Sequence, residues 1–254
     1  MVEVKDLCFK YGTEPILNNI RFTANSGEIT AVIGTNGAGK STLLKCIAGL
    51  LKSSGEIIVY DKNNNIILNK EHPKRIGYLG QDNRCDAELN VFEVILMGLV
   101  NELSFYVGKK EMNKVYEIMD IMSLTKYAGR KINQLSGGQQ QLVFIAQTLI
   151  KHPDVLIMDE PTSALDLNKQ FQLMDLIKDL TEKYQFTTMV CHHHLDLVSK
   201  YANKVLVLNN GQKYACSSPQ NAFTEEMFRD VYGMRVELHK DQEGIQHMVP
   251  VNRI

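Results

Sequence analysis

The chain has 254 residues, of which 44% are hydrophobic and 22% charged, with a formal net charge of -1 at pH 7. This is the make-up of an ordinary folded domain and argues against disorder. The near-neutral balance, with Lys109-Lys110 the one notable basic pair, argues against a nucleic-acid or membrane-surface footprint.

No apolar run approaches the about 18 residues of a bilayer span. The start, Met1-Val2-Glu3-Val4-Lys5-Asp6, lacks the basic-then-apolar plan of a signal peptide. Five cysteines (Cys8, Cys46, Cys85, Cys191, Cys216) carry no C-x-x-C spacing. That pattern fits reduced thiols rather than a disulfide framework or a zinc site.

In chain order, Val2 to Phe9 and Asn19 to Ala24 alternate as strands around the turn Tyr11-Gly12-Thr13-Glu14-Pro15. Ile29 to Ile33 reads as a buried strand ending at Gly34, and Lys40 to Ala48 suits a helix. Gly55 to Tyr60 and Ile76 to Leu79 are strand-like, with Asn63-Asn64-Asn65 a polar loop between them. Val91 to Leu99 and Gly137 to Ile150 are helical. Lys109 to Met122 is an amphipathic helix with Met112, Val115, Met119 and Met122 on one core-facing side. Strand–helix alternation then returns: Val155 to Met158, the helix Asn168 to Glu182, and strands Thr187 to Cys191 and Lys204 to Leu208. Asn209-Asn210-Gly211 predicts a hairpin into Gln212 to Cys216. Met234 to Val249 reads as two strands around Asp241-Gln242-Glu243-Gly244. The expected fold class is α/β, interrupted by a helical insert at roughly 85 to 148.

Gly34-Thr35-Asn36-Gly37-Ala38-Gly39-Lys40-Ser41 matches G-x-x-x-x-G-K-[ST] between a strand and a helix. Bare glycine backbone lets N–H groups converge on phosphates, and the helix presents its positive end to the same anion. Lys40 can reach the β- and γ-phosphates, Ser41 can offer its hydroxyl to Mg²⁺, and Thr42 can add a phosphate contact. The motif alone does not separate kinases, GTPases and ATPases.

Val155 to Met158 runs into Asp159-Glu160. Adjacent acids at a strand end point to opposite sides. That suits Asp159 to Mg²⁺ and Glu160 to the attacking water as general base. Leu135-Ser136-Gly137-Gly138-Gln139 lies ninety-five residues beyond Lys40. Ser136 and Gln139 fit a capping box. Capping leaves the two glycines unexplained, and a bare helix start is a second anion device.

Here the sequence resembles the ATP-binding cassette family, whose signature is L-S-G-G-Q, and the resemblance covers essentially the whole chain. It implies a P-loop NTPase (RecA-like) core with an antiparallel β subdomain and an inserted α-helical subdomain. That makes one domain over 1–254, with core and β subdomain about 1–84 and 149–254 and the helical part about 85–148. It implies ATP hydrolysis with Mg²⁺, and a dimer of two copies in which Ser136, Gly137, Gly138 and Gln139 of one close over ATP held by the other.

Tyr11 takes the place of the adenine-stacking aromatic. Gln81 takes that of the glutamine that touches Mg²⁺ and water and senses the membrane partner, although Gly80 stands where many relatives carry proline. Ser163-Ala164-Leu165-Asp166 matches the segment that crosses the dimer interface. His192, His193 and His194 compete for the switch histidine. Spacing to Tyr201-Ala202 and the Leu195 match favour His193, and a metal-binding reading of the three stays open.

The resemblance further implies polytopic permease subunits, an extracytoplasmic substrate-binding protein, no nucleic acid, and a peripheral place on the cytoplasmic face of the membrane. Asn90 to Gly98, Leu135 to Gln141 and Thr224 to Gly233 resemble importers of iron-siderophore, haem or cobalamin. A soluble cassette ATPase without a permease, or an importer of another cargo, is the alternative. The separation of Lys40 from Leu135 leaves no room for the long coiled coils of DNA-repair relatives.

Overall fold

The structure, a computed structural model, describes residues 1–61, 66–67, 75–81, 88–100 and 107–254. The Asn63-Asn64-Asn65 loop, Cys85 and the expected boundary at 84/85 lie outside the described residues.

Five strands, β3 (Ile29–Ile33), β6 (Ile76–Leu79), β7 (Val155–Asp159), β8 (Thr187–Cys191) and β9 (Lys204–Asn209), run parallel, with β10 (Gln212–Ser217) added antiparallel at one edge. The order is β10-β9-β3-β8-β7-β6. Every residue of β3, β7 and β8 is buried, as expected of parallel strands covered on both faces. The hairpin at Asn209-Asn210-Gly211 forms through positive φ at Asn210 and Gly211.

A second sheet, order β2-β1-β4-β5, is antiparallel and built from β1 (Val2–Tyr11), β2 (Glu14–Ala24), β4 (Ser54–Tyr60) and β5 (Ile66–Ile67). β2 starts five residues before the expected Asn19. The turn is tight enough that Tyr11 pairs with Glu14 and Lys10 with Pro15. Pro15 is tolerated because β2 is an edge strand of its sheet.

One apolar face of the parallel sheet, with Val32, Ile157, Met189 and Leu206, packs on the antiparallel sheet and on α1 (Lys40–Ile47). The other, with Ile29, Leu79, Leu156, Met158 and Val190, shares a core with four helices. These are α2 (Val91–Leu96), α3 (Lys109–Ile121), α4 (Gly137–Leu149) and α5 (Leu167–Tyr184). Asn90 and Glu93 form a full capping box at α2, with bonds of 2.8 and 2.9 Å. In α3 the buried stripe is Val115, Ile118 and Met119, continued by Met122 just beyond the helix. Met112, expected on that stripe, is 38% exposed in the first turn of the helix.

Among the described residues, three α-helices were not expected from the sequence: α6 (Leu195–Tyr201), α7 (Pro219–Ala222) and α8 (Glu225–Tyr232). With the hairpin β11 (Met234–Lys240) and β12 (Gln246–Arg253) they supply a third core around Phe223, Phe228 and Val236. β12 runs on past the expected Val249 to Arg253.

Candidate active site

The carboxyl ends of β3, β6, β7 and β8 meet at one edge of the sheet, where an open α/β sheet offers a crevice. A cleft of ≈ 1090 Å³, including its open mouth, lies there. Tyr11, Ile16, Asn36, Gly37, Gly39, Lys40, Ser41, Thr42, Gln81, Glu160 and His193 line it.

The loop after β3 reaches this position by backbone that only glycine adopts easily. Gly34, Gly37 and Gly39 have φ of 145°, 80° and 94°. A Cβ on Gly34 would stand 2.2 Å from the Leu208 carbonyl oxygen, and one on Gly39 would stand 2.7 Å from Leu17 Cδ2. A Cβ on Gly37 would meet nothing within 4 Å among the described residues. α1 starts at Lys40 with no side-chain cap and no acid in its first turn, so its amino end is left for an anion. Buried Lys40 donates to the carbonyl oxygens of Gly34 (2.9 Å) and Thr35 (2.8 Å).

Opposite the loop, Gln81 Nε2 donates to Glu160 Oε2 at 3.2 Å, and His193 Nε2 lies 2.5 Å from Glu160 Oε1. The two side chains hold Glu160 from both sides. Glu160 sits in left-handed backbone at φ 54°. This departure is uncommon for a non-glycine residue and concentrates at functional turns. Its N–H bonds the Cys191 carbonyl oxygen at 3.1 Å.

Asp159 is 2% exposed, and its Oδ1 has no hydrogen-bond partner among the described residues. A buried carboxylate oxygen left without a partner is costly, and a hard cation would satisfy it. Asp159, Glu160 and Cys191 bring their ligand atoms within 4.8 Å of one another.

The three histidines separate cleanly. His193 is in the cleft. His194 is exposed and stands at the start of α6 without a side-chain cap bond. His192 is 3% exposed; its Nδ1 accepts from the His194 N–H at 3.4 Å, so Nε2 carries the proton and faces Thr162 Oγ1 at 3.3 Å. Burial pushes the His192 imidazolium down to about 4, with His194 and His193 adding to the effect. In the unfolded chain it titrates near 6.5. The neutral form's contribution is therefore full above about pH 6.5 and is lost as pH falls toward 4, on the order of 3 kcal/mol. Urea midpoints measured from pH 7 to 4 should fall, and His192→Gln should flatten that fall.

Residues 135–139 do not line the cleft. Ser136 Oγ accepts from the Gln139 N–H (3.4 Å), Gln139 Oε1 accepts from the Ser136 N–H (3.0 Å), and Gln139 Nε2 donates to Tyr127 Oη (2.9 Å). Gly138 has a packing reason that the sequence did not disclose: a Cβ there would stand 2.7 Å from Leu165 Cδ2. Gly137 has no such tight neighbour among the described residues and is exposed. Segment 163–166 is held beneath it. Gln170 Nε2 donates to the carbonyl oxygens of Thr162 (3.2 Å) and Leu165 (3.1 Å), and Asp166 caps α5. Tyr11 is 52% exposed at the cleft rim, edge-on to Phe9 at 4.8 Å. The sequence did not point to Ile16 in the cleft, or to Gln170 behind the segment.

Residues 17–163 match the family model described as ABC transporter. The chain is 37% identical over 240 residues to the zinc transport system ATP-binding protein of Treponema pallidum (strain Nichols), covering 92% of this chain and 88% of that one. Among solved structures it is similar to a metal-chelate type ABC transporter in an inward-facing conformation (29% identity, TM-score 0.86, 99% of this chain and 97% of that one). It is also similar to an ATP-binding cassette in a dimeric post-hydrolysis state with ADP and Pi (29% identity, TM-score 0.74, 86% and 99%).

Proposed function

From the chain's membership of the ABC transporter family as an ATP-binding subunit, an ATPase coupled to transport, we propose that it powers import of a metal chelate from the cytoplasmic face of a membrane. Two copies would close around two ATP molecules, beneath polytopic permease subunits that receive cargo from an extracytoplasmic binding protein. One observation carries the catalytic part: Gln81 and His193 grip Glu160 across a cleft whose other wall is the glycine-rich loop.

In this reading the loop N–H groups and the α1 amino end bind the phosphates, and Tyr11 supports adenine. The Lys40 ammonium turns from the Gly34 and Thr35 carbonyls to the β- and γ-phosphates. Asp159, Ser41 and Gln81 would hold Mg²⁺, and the orphaned Asp159 Oδ1 fits that group. When bound, Mg²⁺ neutralises charge developing on the phosphate oxygens. Glu160 takes the proton of the attacking water. Its present partners must first give way, which couples base exposure to nucleotide arrival. His193 would then turn from Glu160 toward the γ-phosphate, and Gln81 toward the attacking water, from where it would also help to hold Mg²⁺. The missing wall of the site is supplied by Ser136, Gly137, Gly138 and Gln139 of the second copy. These residues lie outside the cleft of their own chain, and the dimeric ADP-and-Pi cassette has the same fold.

The metal-chelate cargo rests on likeness to the metal-chelate transporter. The zinc transport relative favours a second reading, a free divalent ion. Vesicles holding the chain with its copurified permease distinguish them. ATP-driven uptake of a ferric chelate supports the first; uptake of zinc alone replaces it with the second; no permease on copurification removes both.

A further inference from the structure

Cys191 ends β8 and pairs in register with Asp159, which ends β7. Its thiol is fully buried beside that carboxylate and is pushed well above its usual range, first by burial and then by Asp159. The thiol has no part in the hydrolytic scheme. It nevertheless brings a soft sulfur ligand to within 4.8 Å of one carboxylate oxygen each of Asp159 and Glu160, and Asp159 Oδ1 is buried with no hydrogen-bond partner among the described residues. His193 Nε2 stands next to Glu160 at 2.5 Å.

We propose that Asp159, Glu160 and Cys191 form a site for a soft divalent cation such as Zn²⁺, which blocks the ATPase by occupying its acids. Ligand chemistry sets the selectivity. Thiolate with carboxylate suits zinc or cobalt, whereas Mg²⁺ takes oxygen alone. Zinc ligands at 2.0–2.3 Å stand roughly 3.3–3.8 Å apart in a tetrahedron, so the trio must tighten by about 1 Å. Access is through the cleft, because Glu160 is a wall of it and its side chain is 17% exposed. On binding, the Cys191 thiol loses its proton to solvent and sulfur joins the metal. Glu160 and Asp159 are then unavailable to water and Mg²⁺. The block rests on the hydrolytic scheme above; the metal binding does not.

The test uses Co²⁺ on the nucleotide-free protein, read by absorption. A thiolate-to-cobalt charge-transfer band is expected in the wild type. Zn²⁺ should bleach it, Cys191→Ser should abolish it, Cys8→Ser should leave it intact, and Glu160→Gln should weaken the affinity at least tenfold. In ATPase assays at saturating Mg²⁺, the Zn²⁺ concentration giving half-inhibition should rise at least tenfold in Cys191→Ser, measured against that variant's own zinc-free rate. No band in the wild type, or an equal band in Cys191→Ser, overturns the site. Should Cys191→Ser not fold, Cys191→Thr and the Glu160→Gln titration serve instead, and unchanged affinity in both overturns it. A band without zinc inhibition overturns the block. A chain that binds Co²⁺ but has no ATPase activity counts against the hydrolytic scheme and leaves the metal site standing.

Discussion

Glu160→Gln is expected to lower steady-state ATP turnover by about 10²–10⁴-fold, the range of a lost general base, while ATP affinity stays within about threefold of wild type. The amide keeps the shape of the carboxylate. Its oxygen can still accept from His193 or Gln81, which hold Glu160 now, so the local fold should survive. What is lost is the capacity to take a proton from water. Removing a negative charge beside Asp159 also lessens repulsion with the γ-phosphate, so the variant should accumulate as an ATP-bound dimer. Phosphate release and light scattering read the two effects. Turnover within fivefold of wild type would remove Glu160 from the base role.

Lys40→Ala is expected to weaken ATP binding by about 10- to 150-fold. A charge-assisted hydrogen bond contributes about 1.5–3 kcal/mol, and about 3 kcal/mol corresponds to roughly 150-fold in Kd. Lys40 also fastens the loop to itself through the Gly34 and Thr35 carbonyls. Lys40→Met, which keeps most of the stem, separates loop order from charge and should lose nearly as much. Calorimetry gives both constants directly. Unchanged affinity in Lys40→Ala would contradict the phosphate cradle.

What could be read from the sequence was whatever is local. The parallel strands announce themselves as short apolar runs, and the loop after β3 and the Asn209-Asn210-Gly211 hairpin carry their own turn chemistry. The helices α6 and α8 escaped because they are short. Each shows only one apolar triple, Leu197-Val198-Tyr201 and Met227-Phe228-Val231, with no room for a second period. Thr224, whose side chain accepts from the Met227 N–H at 3.0 Å, was the available start signal for α8.

Long-range facts were out of reach. Nothing near Gly138 in sequence tells of Leu165 pressing on it. Spacing and the Leu195 match favoured His193 without deciding among three neighbours, and only packing explains why His192 differs, with its ring shut against Thr162. The Cys191 thiol beside Asp159 likewise arises from strand register, not from any motif.

Central to the proposed function is that a lone copy would lack the wall that residues 136–139 of a second copy would form. Specific ATPase activity of the purified chain, followed by serial dilution at saturating Mg-ATP, addresses it most directly. The expected result is a rate per molecule that falls toward zero as copies separate, with a second-order rise at low concentration. A rate per molecule that stays constant down to the most dilute sample would contradict it.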